Sequence, residues 1–440
     1  MNIRNIRNIL TGTIALATLT TTVKADVEVL ITGATAFRTA AINALKAQFD
    51  IGNNGVSYAY AHNKGAGSVN AADRVTFKGK FPGVAGTTTV RVSHNGSVEG
   101  LRAIADPNST NNPFFITDAA LPTPSGSGAE AAAVSGTTAQ QVAKFSYTDV
   151  LQSSTPVTGA LEPADPKIGV TLFTMLANDG APAGLTNVSF QQFKALFSNG
   201  SQPLSLFTGV AADTNLVYAT GRNDGSGTRT AYMAESQLGI STIVSQFVAT
   251  SPGSGTAGAV SVIQKVPAGG ATINGTFDPT SASTLWGQDL DGNGGYFSGS
   301  ALRDVMGRTT ASTLVRDADG STLEAASQIH LITWLSTADA VPARQAGAKI
   351  LGWNGSILDS LNTGTTVSAT DLAKITEGQY TAWTFQNLYY VGTLTPDEDA
   401  VYTAIKTGIP ASLVAAGYVP GVPATIMNVS RGDDGAPVAP

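Results

Sequence analysis

The sequence predicts an α/β fold in more than one lobe, and three observations lead there. At 440 residues the chain is long for one compact unit and points to two or three lobes. Hydrophobic residues make up 42% of it, enough for sizeable cores, while charged residues make up only 13%. Two distant stretches, 27–49 and 216–235, each read as a strand, a glycine turn and a helix.

The second of these units organises the rest. LVYAT (216–220) is a strand end, and GRNDGSGTRTAYMAE (221–235) turns from it into a helix. The first turn of a helix has N–H groups without internal acceptors. Two glycines let the backbone approach a ligand closely. The helix dipole and the hydroxyls of Ser226 and Thr228 favour an anion, and Arg222 adds a planar guanidinium. That chemistry suits a small oxyanion. The same residues would also suit an ordinary Gly/Ser loop with a surface arginine.

Residues 1–25 read as a secretory signal. Arg4 and Arg7 precede an apolar run from Ile9 to Leu19, and Val23-Lys24-Ala25 approximates a cleavage site. The run is short for a bilayer span, and no later stretch is longer. Removing Arg4, Arg7 and Lys24 from the 25 basic residues leaves 22 against 31 acidic ones, a net charge of −9. An acidic exported chain is a poor partner for nucleic acid, and an anion would need a local site. No cysteine is present, so disulfides and thiolate chemistry are excluded. His62, His94 and His330 lie far apart in sequence, which argues against a histidine metal site.

Along the chain, Val27, Val29 and Ile31 alternate as a buried strand would, and GATAF (33–37) turns into a helix carrying Ile42, Leu45 and Phe49. TTTVRVS (87–93) is a strand running into HNGSVEGLRAI, with Ser97 at a helix N-cap. Capping alone would account for that serine. FFITDAALP is a short strand ending in Asp118, where a carboxylate would face a ligand crevice or simply sit in a turn. Residues 123–165 read as a surface insertion. KIGVTLFTMLAND (167–179) is a strand crossing between lobes, followed by a helix with Val188, Phe190, Phe193 and Phe197 inward and Gly200 as its stop. From 240 to 330 the pattern weakens. Asp289, Asp291 and Asn293 begin a partial calcium loop, but its twelfth position is Ser300 rather than a bidentate glutamate. A polar turn explains them as well.

In this order the pieces resemble the phosphate-binding proteins of bacterial ABC uptake systems, in the type 2 periplasmic-binding-protein family. GATAF resembles that family's first phosphate loop, SHNGSVEGLRAI its serine loop and helix, FFITDAALP its aspartate segment, and RNDGSGTR its arginine and Ser-Gly-Thr loop. The resemblance implies two α/β lobes with a ligand cleft between them. Lobe 1 would comprise 26–122 and 380–440, and lobe 2 would comprise 123–379, with insertions near 123–165 and 240–330. It also implies a site of Thr35, Phe37, Ser97, Asp118, Arg222, Ser226, Gly227 and Thr228. Thr35 stands one place earlier than the family's threonine, which directly precedes the phenylalanine, and Glu99 suits an anion site only if it points outward.

In that site three helix N-termini converge, each favouring an anion by about 0.3–1 kcal/mol. Arg222 binds two oxygens side by side. Asp118 accepts the proton that phosphate keeps and sulfate lacks, a difference worth about 10⁴–10⁵-fold in selectivity. A ceiling near −1.5 kcal/mol per heavy atom limits the five-atom ion to about −7.5 kcal/mol, roughly micromolar affinity. Hinge closure would then signal to an ABC permease. The expected protein is a periplasmic or extracellular phosphate receptor, not an enzyme, without cofactor or metal, and without membrane insertion. An extracellular structural or adhesive protein on the same fold is the alternative, and a secreted hydrolase a third. Ser226 lacks a G-x-S-x-G elbow and a nearby histidine.

Overall fold

Alternating apolar residues fold the start of the chain into β1 (Val27–Gly33), with Val29 and Ile31 buried. The computed structural model describes residues 26–50, 56–62, 68–106, 112–123, 129–132, 137–249, 258–266, 294–296 and 298–440. The expected signal segment and Asp289, Asp291 and Asn293 lie outside the described residues.

After β1 come β2 (Ser57–Ala61), β3 (Arg74–Gly79), β4 (Thr88–Ser93), β5 (Phe114–Ile116), β6 (Ala129–Ala132), β7 (Thr138–Gln140) and β8 (Phe145–Thr148). The 11-residue β9 (Lys167–Ala177) is buried over nearly its whole length. It is followed by β10 (Asn187–Val188), β11 (Ser201–Pro203), β12 (Leu216–Ala219), β13 (Phe247–Ala249), β14 (Val260–Lys265), β15 (Thr310–Arg316) and β16 (Thr322–Ala326). β17 (His330–Ser336), β18 (Lys349–Trp353) and β19 (Trp383–Tyr390) complete the strands.

A 13-stranded sheet runs β11-β12-β17-β9-β19-β8-β1-β4-β3-β2-β6, with β18 on β9 and β10 on β18. β13 to β16 form a separate sheet, and among the described residues β5 pairs with β7 alone. β9 and β19 carry the large sheet between two hydrophobic cores. Ile168 and Leu388 belong to the first, around Phe37, Phe77, Phe145 and Ile405. Leu172, Trp383 and Phe385 belong to the second, around Phe193, Trp334 and Trp353. The 20-residue helix Pro396–Ala415 returns to cover the first core, packing on the helix Arg38–Phe49.

Several local expectations rest on short-range chemistry. The helix Phe190–Asn199 starts at a Ser189/Gln192 capping box and stops at left-handed Gly200. The expected division of the chain differs from the packing at two places. β8 sits between β1 and β19, and Phe145 and Tyr147 fill the first core, although 123–165 reads as an insertion in the second lobe. At the other end, Tyr418, Val419, Val429 and Val438 pack against the second core, not the first. Both differences arise because pairing partners lie far off in sequence, where periodicity carries no signal.

Parallel pairing is what positions the site. β1 pairs in parallel with β4 and with β8, in register Thr32↔Ser93 and Gly33↔Tyr147. Their carboxyl ends therefore open on one edge, the crevice where such sheets present loops.

Candidate functional site

Three loops leave that edge, and a fourth comes from β12. After β1, Gly33 takes a positive φ of 116° and touches the next strand so closely that a Cβ there would lie 1.9 Å from the Tyr147 carbonyl oxygen. Ala34 N–H donates to that same oxygen (2.9 Å). The chain then turns through Thr35 into the helix Arg38–Phe49. Phe37 is the residue before this helix. Its ring is buried edge-on against Tyr147, so the side chain is core and only its backbone faces the turn.

After β4, Gly96 caps the helix Ser97–Ala105, and Ser97 is its first residue. The serine hydroxyl does not cap the helix. It donates to Oδ1 of Asp149 and accepts from the Asp149 N–H (3.2 Å). After β12, Ser226 caps the helix Gly227–Glu235 by accepting from Arg229 N–H (3.4 Å). Thr228 Oγ1 donates to Asp149 Oδ2 (3.3 Å). Gly227 is held by proximity, since a Cβ there would fall 1.8 Å from Asp149 Oδ1 and 2.6 Å from Ser97 Oγ.

Arg222 closes the group. Its Nε donates to the Tyr296 carbonyl (2.8 Å) and its Nη1 to Thr35 Oγ1 (3.2 Å). Thr35, Ser97, Asp149, Arg222, Ser226 and Thr228 are each no more than 4% exposed. Burial is the largest influence on both charges. It pushes the Asp149 carboxyl up, against the pull of the Ser97 hydrogen bond and Arg222, and lowers Arg222 to about 10 despite Asp149 and Asp339.

Of the residues expected from sequence, Thr35, Ser97, Arg222, Ser226, Gly227 and Thr228 come together. Asp118 does not join them, and this is a correction. It opens a short 3-10 turn beyond β5, on the separate two-stranded sheet, and its carboxylate is about half exposed. It pairs with Lys78 (2.5 Å) and Arg91 (2.5 Å), residues of β3 and β4. The acid at the site is Asp149, at the end of FSYTD. It follows a short strand just as Asp118 does, so the strand–acid signal is present twice and only the pairing of β8 with β1 selects one. Glu99 pairs with Arg102 (2.5 Å) on its own helix.

A further difference concerns the helix N-termini. Val98 N–H and Glu99 N–H donate to the Gly225 carbonyl (3.1 and 3.3 Å). One loop thus caps the helix of another across the site. Among the described residues no cluster of three or more His, Asp or Glu could hold a metal ion, and no helix is long and apolar enough to cross a membrane.

No family model matches the chain, and no curated protein does. Solved structures are similar at 8–10% identity. An ABC-type phosphate transport receptor from Vibrio cholerae aligns over 88% of this chain and 98% of its own, with 8% identity and a TM-score of 0.41. A putative phosphate ABC transporter substrate-binding protein with bound phosphate, from Clostridium perfringens, aligns over 89% and 98%, at 8% and 0.41. A possible phosphate binding protein from Planctomyces limnophilus aligns over 91% and 95%, at 9% and 0.37. Similarity at this level concerns the course of the chain and leaves the ligand to be argued from the residues above.

Proposed function

We propose that this is an exported solute-binding protein that holds a small protonated oxyanion, inorganic phosphate foremost, between its two cores and delivers it to a permease. The observation that carries this reading is the buried Arg222 guanidinium, bonded to Thr35 and beside the Asp149 carboxyl that Ser97 and Thr228 hold, on loops from both halves of the sheet. Three hydroxyls and a guanidinium suit the oxygens of a tetrahedral anion. The acid suits its proton. Burial raises Asp149 while Ser97, Thr228 and Arg222 oppose the rise, and as a carboxylate it would accept the ligand's proton. Sulfate brings no proton and would face Asp149 with like charge.

Entry of the ligand would break the Ser97–Asp149 bond within the first half and the Thr228–Asp149 bond between the halves, so binding would require the two halves to part along β9 and β19 and then close. The site is proposed to bind rather than to turn over. His94, the nearest histidine in sequence to Ser97, is buried against Tyr147 and engages the Ala34 carbonyl through Nδ1 (2.7 Å). Titration calorimetry tests the proposal. Phosphate should bind with roughly micromolar affinity. Sulfate should not bind, and Arg222→Ala should abolish the phosphate signal. An absence of heat with phosphate, arsenate and phosphate esters alike would refute it.

One observation favours a second reading, a ligand-free structural or adhesive protein. Asp149 and the Gly225 carbonyl already occupy donors that an anion would use. On that reading Arg222→Ala would destabilise the fold without any binding activity to lose.

A further inference from the structure

A cavity of about 230 Å³ lies beside this site, walled from both halves of the molecule. Arg38 and Thr39 line it from the first helix and Thr35 from the turn before it, Asn70 from the 3-10 turn Val69–Ala71, and Arg303 and Asp339 from the helices Gly299–Met306 and Thr337–Gln345. Thr35 is common to both places, since its hydroxyl accepts from Arg222 and its residue forms part of the cavity wall. A water needs about 10–15 Å³ by the same measure, so the space far exceeds what a single ion or water requires.

Its walls are polar and carry both charges. Arg38, 4% exposed, donates from Nη1 to Asp73 (2.8 Å), while its Nη2 stands 3.6 Å from Asp339 Oδ1, beyond a normal hydrogen bond. Arg303 directs Nε and Nη2 to Asp304 (2.9 and 2.8 Å). A guanidinium carries five N–H donors, so both arginines keep capacity beyond these bonds. Asn70 and Thr39 add an amide and a hydroxyl. Paired but incompletely used guanidiniums in a shaped space recognise carboxylate and hydroxyl groups.

We infer that the ligand of this site is a phosphate monoester of a small polar molecule, with its phosphoryl group at Arg222, Thr35 and Ser97 and its carboxylate- or hydroxyl-bearing part in the Arg38–Arg303 cavity. This rests on the oxyanion reading above and specifies its substrate class. Free phosphate would leave the cavity to water, whereas a small polar ester would extend past Thr35 toward Arg38 and Arg303. Arg38 and Asp339, drawn from opposite halves, then close over the ligand together.

Calorimetry on the intact mature chain distinguishes the outcomes, with 3-phosphoglycerate and inorganic phosphate as probes. The ester should bind at least tenfold more tightly than phosphate, and Arg303→Ala should remove most of that advantage. Ala71→Leu, which fills the cavity with an apolar side chain, should do the same. Equal or tighter binding of phosphate overturns the ester inference and leaves the oxyanion reading standing. Ester binding that neither variant weakens overturns the assignment of the cavity. No binding of either probe overturns both readings, and thermal melts of the variants check that they are folded.

Discussion

Asp434 offers a quantitative test of how the tail is built. The C-terminal segment folds back over the site's supports. Arg431 stacks on Trp383 (4.0 Å) and pairs with Glu235 at the end of the Ser226-capped helix (2.9 Å). Asp434 Oδ2 accepts from Leu151 N–H (2.7 Å), two residues beyond Asp149. Burial pushes the Asp434 carboxyl from an ordinary 3.8 up to about 7, outweighing the Leu151 and Ser154 hydrogen bonds, with Asp433 adding to the rise and Arg431 opposing it. The folded chain therefore keeps this proton where the unfolded chain has lost it. Stability is fully present below 3.8 and is lost as pH rises toward 7, by about 1.4 kcal/mol per pH unit and about 4 kcal/mol in all. Asp434→Asn keeps an acceptor for Leu151 but cannot ionise. Urea unfolding of both proteins at pH 4, 5.5 and 7 should show the variant gaining on the wild type at each step. A stability difference that stays flat, or moves the other way, refutes the argument from burial.

Four further outcomes are expected. His94 is held near 3 chiefly by burial, with Arg38 adding to the fall and the Ala34 hydrogen bond opposing it. Its contribution is therefore present above 6.5 and lost as pH falls toward 3, and His94→Asn should flatten the acid limb of the unfolding curve by about 1.4 kcal/mol per unit. Gly227→Ala drives a Cβ into Asp149 and Ser97, and should cost about 1–3 kcal/mol in denaturant unfolding and abolish anion binding in calorimetry. Asp118→Asn removes ion pairs whose carboxylate is half exposed, and the buried Arg91 keeps Glu28 and the Ile116 carbonyl, so phosphate affinity should stay within about twofold and stability within about 1 kcal/mol. Asp149→Asn should bring sulfate affinity closer to that of phosphate, read by competition calorimetry, because the repelling carboxylate is gone.

The division between what was legible in the chain and what was not follows the range of the forces involved. Gly33, Ser226, Gly227 and Gly200 could be read directly, because turns, caps and helix stops are decided by residues within a few positions of one another. Arg222 stood out because it follows a strand and precedes a glycine turn. Ser97 is legible in sequence only in part. Its place at the start of a helix was visible, but its hydroxyl serves Asp149 and not the helix end. The choice between Asp118 and Asp149 could not be made along the chain, since each follows a short strand. Hydrogen bonding of β8 to β1 and β19 put one acid on the crevice, and pairing of β5 with β7 put the other on the surface. Tertiary structure alone also brought the Tyr296 carbonyl to Arg222 and the Gly225 carbonyl to the second helix. Local propensity specifies how a segment bends, whereas register across a sheet depends on partners lying well beyond any short window of sequence, from Ile116 and Thr138 to Gly33 and Tyr147.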